Sequence, residues 1–570
     1  MKPTIFRATE QWFASVSSFR KDVMTAIDEV EWIPAVGKNR ITSMTESRGD
    51  WCISRQRSWG VPIPVFYNKL TNEPLITPET LGYVQGLFAE HGSDVWWEME
   101  VFDLLPPGPL RDQAGEYSKG TDTMDVWFDS GTSWAGVVKG RGELSYPADI
   151  YLEGSDQHRG WFQSSLLTSV ATQGKAPFKT VLTHGFVLDE KGFKMSKSLG
   201  NVVDPVSIIE GGSDQKLKPA YGADTLRLWV SGVDYTGDVC VGDNIMKQVS
   251  DNARKLRNTL RFLVGSLTDF DPTTDLIPYK DLASIDKYML GKLSLTTKEV
   301  ELSYDLYQFY KVIQCISVFA NIEVSAFYLD IAKDRLYISH KNDYRRKSCQ
   351  TVIYTIMEQM ITMLAPILPH MSEDLWLNIP YKKQYESVFL KPWMDKKTDF
   401  YELYDEEYWN KVRSLRYEIN KCIELARTAK VIGATHECAL TLYISDPIFK
   451  AQLEAMKGDD EGILPQPKTT NLIDDLRFIL LTSQIKFVEN PESVIALNPD
   501  FNLASAVNET AVHIGIKPAN GKKCERCWYY SENVGDDHEH TDTCLRCASV
   551  LRTDNHIITN TATTDATVHT

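Results

Sequence analysis

One apolar run and the loop after it constrain this chain more than any other feature. Thr180-Val-Leu-Thr-His-Gly-Phe-Val-Leu188 reads as a strand, and it leads through Lys194-Met-Ser-Lys-Ser198 into the loop Leu199-Gly-Asn-Val-Val-Asp-Pro205. Two lysines separated by small, flexible residues at the carboxyl end of a strand suit a mobile clamp for polyphosphate. Each ammonium is a compact charge on a long stem, able to follow the phosphates as charge moves onto a departing pyrophosphate. A lysine–serine loop by itself is more often a solvated turn, so the rest of the chain must decide.

The surroundings read as a wound α/β sheet. From about 30 to 245, strand-like runs alternate with helical ones. Residues from about 68 to 120, rich in Pro, Gly and acidic side chains, read as an insertion away from the sheet. Residues 1 to about 30 read as a helix, with Trp12, Phe13, Val16, Phe19, Val23, Met24 and Ile27 at helical spacing. Gly222-Ala-Asp-Thr-Leu-Arg-Leu-Trp-Val230 opens a change to helix, and about 246 to 390 is a helical bundle. Lysines near Tyr381 to Gln384 and Pro392 mark a boundary. Residues 391 to 515 then hold a helix, at about 405 to 435, and a small mixed α/β region. The cysteine-rich segment follows at 516 to 552, and the polar tail from Thr553 is expected to be disordered.

Length and composition bound the class. A chain of 570 residues is too long for one domain, and three or four is the natural expectation. Hydrophobic content of 43% and charged content of 24% are ordinary for a globular protein. No apolar run is read as approaching the roughly 20 residues a membrane helix needs, and Met1-Lys-Pro-Thr does not read as a targeting segment. With 61 basic and 77 acidic residues the net charge is −16, so any nucleic-acid contact has to come from local basic patches.

The ten cysteines are too few for a disulfide scaffold, and a reducing compartment fits best. Four of them are grouped, as Cys524-Glu-Arg-Cys527 and Cys544-Leu-Arg-Cys547. Two Cys-x-x-Cys knuckles supply the four thiolates of a closed tetrahedral zinc site, with Trp528 and Tyr529 expected to cover it. His538 and His540 lie between the knuckles, but the cysteine set is already complete. A closed site has no open position, so the zinc is read as structural, one per chain.

Several strings together carry a resemblance. Lys194 to Ser198 resembles the signature loop of class I aminoacyl-tRNA synthetases, which binds ATP during amino-acid activation. Asp50-Trp-Cys-Ile-Ser-Arg-Gln-Arg57 and Trp59-Gly-Val-Pro-Ile-Pro-Val-Phe-Tyr67 look like the class Ia enzymes for branched aliphatic amino acids. Asp125-Val-Trp-Phe-Asp-Ser-Gly131 and Tyr151-Leu-Glu-Gly-Ser-Asp-Gln-His-Arg-Gly-Trp-Phe162 resemble the isoleucyl-tRNA synthetase family of bacterial or organellar type. The resemblance runs from about Arg7 to the cysteine-rich segment.

It implies a Rossmann-like catalytic domain, a helical anticodon-binding bundle, a mixed α/β region and a zinc ribbon. Lys197 matches the ATP-binding lysine, with Lys194 supporting it. Glu153 matches a contact to the aminoacyl-adenylate, and Gly154, Asp156, Gln157 and His158 match the neighbouring motif around amino acid and ribose. Asp156 reads equally as the cap of a helix beginning near His158, and His158 alone reads more often as a structural histidine. Gly131 and Trp134 are candidate walls of an aliphatic pocket. Arg254, Arg257 and Arg261 share one helical face that suits tRNA phosphates, although such a stripe is also a common solvated face. Ala326-Phe-Tyr-Leu-Asp-Ile-Ala-Lys-Asp-Arg-Leu-Tyr337 resembles the anticodon-binding bundle, and Lys341 with Arg345, Arg346 and Lys347 forms a second basic cluster.

The implied activity is ligation of isoleucine to tRNA(Ile), with ATP and magnesium as substrate and no membrane partner. Two family features are missing from these 570 residues. No His-x-Gly-His precedes Lys194, and no editing domain precedes Arg7-Ala-Thr-Glu-Gln-Trp-Phe13. The only lookalike, His513-Ile-Gly-Ile516, lacks the second histidine, comes late in the chain and reads as a short apolar stretch. The chain is thus expected to correspond to the carboxyl-terminal portion of such an enzyme, inactive by itself. It is read as a monomer, or as associated with a missing amino-terminal half. The expected compartment is cytoplasmic, or mitochondrial or chloroplast in a eukaryote. The rival readings are a noncatalytic tRNA-binding and zinc-binding fragment and a valyl or leucyl enzyme.

Overall fold

A computed structural model describes residues 9–393, 405–457, 476–498 and 500–553. The tail beyond 553, where disorder is expected, lies outside the described residues, as do Arg7 and Ala8. Two compact units emerge: Met1–Asn201 with Tyr235–Cys240, and Val202–Asp234 with Val241–Thr570.

The first unit is built on a three-stranded parallel sheet. Phe178–His184 is the central strand, flanked by Glu31–Ile33 and Ala148–Gly154. Val181 and Leu182 are buried, as a parallel strand covered on both faces requires. Helix Arg20–Asp28 packs on helices Val36–Glu46 and Trp161–Gln173, joining Val23, Ile27, Ile41, Phe162 and Leu166 in one core. Gly174 ends the third helix in the left-handed conformation, φ 72°, where a side chain would be strained.

The expected helix over residues 1 to 30 is only partly present. It begins at Arg20, while Phe13–Ala14 pairs as a short strand with Trp51–Cys52. Pairing with Trp51–Cys52 takes the backbone of Phe13–Ala14 out of the helix. Residues 66 to 119 form a satellite, with its own three-stranded sheet and a core of Phe66, Val84, Trp96, Leu104 and Leu105.

The second unit is mostly helical. Long helices Asp243–Gly265, Ser284–Asp305 and Tyr344–Leu364 surround a large apolar core. One stretch, Phe309–Tyr337, is apolar and long enough to cross a membrane, with a most apolar window of mean hydropathy 1.6, which corrects the sequence expectation. Phe319, Ala320, Val324, Phe327 and Tyr328 on it are buried in the core of this unit. Its end carries charges: Asp330 pairs with Arg416, and Arg335 with Asp286. That pattern is a core helix.

Asp286 organises this region. Fully buried, it accepts both oxygens' bonds from Arg335 at 3.0 and 2.9 Å, one from Tyr328 at 2.6 Å, and one from Ser348. Two charges buried together are tolerated only when bonded this fully, and removing one partner from such a pair typically costs about 3–5 kcal/mol.

Farther along, helix Glu406–Thr428 packs on a four-stranded mixed sheet, ordered Gln484–Phe487, Cys438–Ile444, Thr510–Pro518, Asn502–Val507. His513 sits in this sheet opposite Tyr443, between buried Val512 and Ile514, so the His-Ile-Gly-Ile string is sheet core. The cysteine-rich segment adds a two-stranded hairpin, Lys522–Lys523 with Tyr530–Ser531.

Candidate functional site

The register of two parallel strands builds the site. Leu182 lies opposite Leu152 and His184 opposite Gly154. Parallel strands release their chains at the same end, so the loop after Gly154 and the chain leading to Lys194 start side by side. Ligands of open α/β sheets bind at that end.

The first loop is tightly set. A Cβ on residue 154 would lie 2.5 Å from Asp156 Oδ1, so glycine is what lets this carboxylate fold back over the strand end. Glu153 and Asp156 are exposed, and Gln157 Nε2 donates to Asp156 Oδ2 at 3.1 Å. The expected Asp156 cap is absent. Ser155–Arg159 is a single 3-10 turn, the long helix starts at Trp161, and Gln157 Oε1 accepts its first N–H at 3.1 Å.

His158 is 1% exposed; Nδ1–H donates to the Ser155 carbonyl at 2.7 Å, and the ring stacks on Trp32 at 5.9 Å. Burial pushes its pKa below the ordinary 6.5, so it is neutral and packed. A Cβ on residue 37 would approach its Nε2 to 2.8 Å.

The strings that carry the resemblance meet at a residue the sequence reading passed over. Asp125, buried, accepts from Trp51 Nε1 at 3.0 Å and pairs with Arg55 at 3.0 Å, tying residues 50–57 to residues 125–131. Partners seventy positions apart leave no local periodicity to reveal them. Gly131 and Trp134, the candidate pocket walls, are buried. Gly131 packs against Ser164, and Trp134, 4% exposed, donates to Thr168 Oγ1 at 3.1 Å, so both serve the core around helix Trp161–Gln173.

The lysine loop stands on two braces that were also missed. The Asp189 carboxylate accepts from Asn201 Nδ2 at 2.9 Å and from the backbone of Phe193 and Lys191, bonds that hold it below the usual carboxylate range. Asn201 Oδ1 in turn accepts from Ser196 N at 2.9 Å. The base of the loop is therefore fixed while Lys194 and Lys197 stay exposed. Lys194 lies 5.1 Å above the Phe186 ring.

In the second unit, Arg254, Arg257 and Arg261 are exposed on helix Asp243–Gly265. Arg254 pairs with Asp251 at 2.7 Å and Arg257 with Asp374 at 2.6 Å, surface pairs that an incoming phosphate can displace at small cost. The second basic cluster is corrected. Arg345 is buried beside Asp334, Arg346 pairs with Asp269 and Lys347 with Asp275, so these three charges are consumed internally and only Lys341 is exposed.

Cys524, Cys527, Cys544 and Cys547 are all buried, with their sulfurs within 4.8 Å of one another. Cys527 Sγ and Cys544 Sγ are 3.8 Å apart. A tetrahedron with Zn–S bonds of about 2.3 Å has edges of roughly 3.8 Å, so the donor set fits zinc. The Cys544 N–H also points at Cys524 Sγ, 3.3 Å away. Tyr529 packs against the cluster, but Trp528 does not cover it: at φ 67° its side chain swings outward, 59% exposed, beneath Lys523 Nζ. Elemental analysis should find one zinc per chain, and Cys524→Ser should abolish it. Metal-free protein whose four thiols all titrate freely would exclude the site.

Comparison with known proteins agrees with this geometry. Residues 2–242 match the tRNA synthetases class I (I, L, M and V), residues 286–443 the anticodon-binding domain of tRNA ligase, and residues 521–550 a zinc finger found in FPG and IleRS. The chain is 54% identical over 554 residues to an isoleucine–tRNA ligase of Microcystis aeruginosa, covering 97% of this chain and 56% of that one. An isoleucine–tRNA ligase of Crocosphaera subtropica is 53% identical over 550 residues, 96% of this chain and 56% of the relative. The chain thus spans about half the length of the curated relatives it matches. Among solved structures, methionyl-tRNA synthetase of Mycobacterium tuberculosis with methionyl-adenylate is similar at 17% identity and TM-score 0.45, over 64% of this chain and 62% of that one. The chain thus carries a class I tRNA synthetase domain, an anticodon-binding domain and a zinc finger, and the relatives it matches are isoleucine–tRNA ligases.

Proposed function

We propose that this chain serves ATP-dependent activation of isoleucine and its transfer to tRNA(Ile). The observation that carries the reading is the His184–Gly154 register, which starts the lysine loop and the Glu153–His158 loop at one end of one sheet. In the reaction the isoleucine carboxylate attacks the α-phosphate of ATP in line, the bond to the β-phosphate bridging oxygen breaks, and pyrophosphate leaves. No side chain needs to exchange a proton, so catalysis is positioning plus stabilisation of phosphate charge. Lys197 and Lys194 meet the charge growing on pyrophosphate, with ATP entering as its magnesium complex. Glu153 and Asp156 accept hydrogen bonds from the substrate ammonium and ribose hydroxyls. Gln157, Gly154 and buried His158 hold that loop in shape.

A soluble compartment such as the cytoplasm suits the cyanobacterial relatives. A valyl or leucyl enzyme is not favoured by those relatives, nor is a purely noncatalytic fragment.

Calorimetric binding of a non-hydrolysable isoleucyl-adenylate analogue tests the site. Glu153→Gln should weaken that binding, Lys197→Ala should weaken binding of a non-hydrolysable ATP analogue, and unchanged affinity in both would refute the assignment. The tRNA role rests on the exposed arginine face. Reversing Arg254, Arg257 and Arg261 to Glu should weaken tRNA(Ile) binding and reduce its salt slope by about three, since each phosphate contact contributes close to one. An unchanged slope would show that the face meets only solvent.

A further inference from the structure

The zinc ribbon reaches the helical part of its unit through one buried ion pair. Arg546 lies inside the second knuckle, between Cys544 and Cys547. Its Nη1 and Nη2 donate to Asp334 Oδ1 and Oδ2 at 2.8 and 2.7 Å, a two-pronged fit. Asp334 sits on helix Asp330–Tyr337, and the two side chains are 6% and 15% exposed. The guanidinium also stacks over Phe478 at 4.7 Å. The neighbouring Arg345 approaches Asp334 only to 4.0 Å and lies over the same ring at 5.2 Å. Ile338, just beyond the helix, packs against the cysteine cluster.

We infer that zinc occupancy is coupled to the order of helix Asp330–Tyr337 through the Arg546–Asp334 pair. Arg546 has a metal ligand two residues before it and another immediately after it. While zinc holds both, the backbone that aims the guanidinium cannot drift. When the metal leaves, the knuckle relaxes and Asp334 stays in the helix, buried, with Arg345 as a poor substitute. A buried carboxylate deprived of its partner disfavours the packed state around it. The coupling is reciprocal: whatever factor zinc lends to this pair, the pair lends to zinc. Asp334, which is no metal ligand, therefore governs metal retention. The ribbon is then not a separate appendage, as its position near the end of the sequence suggests.

The test uses the full zinc-loaded chain and a chromogenic chelator. Asp334→Asn should release zinc about tenfold faster than wild type, within the usual range of such couplings. Glu323→Gln, which loses only the pair with Arg413, should release it at the wild-type rate. A second measurement needs no variant: stripping zinc from wild type should lower hydrogen-exchange protection in residues 330–337 and leave residues 178–184 unchanged. Equal release from wild type and Asp334→Asn, or unchanged protection of 330–337 after stripping, would overturn the inference.

Discussion

Parallel hydrogen bonding along Phe178–His184 is the constraint on which the first unit depends. It ties Glu31–Ile33 on one side to Ala148–Gly154 on the other, and its register fixes which residues end together. Slipping a strand by one residue would exchange the buried and exposed faces. It would also part His184 from Gly154, separating the two loops that make the candidate site. Bracing by Asp189 and Asn201 then limits the freedom of the lysine loop to the lysines themselves. A clamp that follows moving charge needs such a division, with a fixed base and free tips.

The second unit joins its helices and mixed sheet through one continuous apolar core and adds buried charges to it. Two buried carboxylates in it each take several partners. Asp286 takes Arg335, Tyr328 and Ser348, and Asp334 takes Arg546 with Arg345 nearby. For Asp334, burial would raise the pKa, but Arg546, Arg345 and Arg335 more than offset this, and the carboxyl stays below the usual range. Such pairs contribute specificity more than net stability. They also explain why a basic run in the sequence need not be a nucleic-acid surface.

Much of this was legible in advance, where the signal was local. Periodicity separated the α/β part from the helical part, and the spacing of Cys524, Cys527, Cys544 and Cys547 named the metal centre. What escaped notice was long-range or conformational. Asp125 joins segments seventy residues apart, and Arg345 to Lys347 find acidic partners from two other segments. Strand pairing of Phe13–Ala14 with Trp51–Cys52 cuts short a helix expected from apolar spacing. Trp528 turns outward because the knuckle forces a positive φ, which no composition reveals. In each case a tertiary partner or a backbone constraint outweighed the pattern read from neighbours.

The central claim is that Lys194 and Lys197 form one side of a phosphate clamp whose other side, a His-x-Gly-His motif, these 570 residues do not contain. Isoleucine-dependent ATP–pyrophosphate exchange measures it most directly, with purified chain alone and with a polypeptide carrying the His-x-Gly-His segment added in trans. The account predicts negligible exchange alone and recovery on addition, because each missing transition-state donor removes roughly 3–4 kcal/mol of stabilisation. Robust exchange by the 570-residue chain alone, abolished by Lys197→Ala, would contradict it.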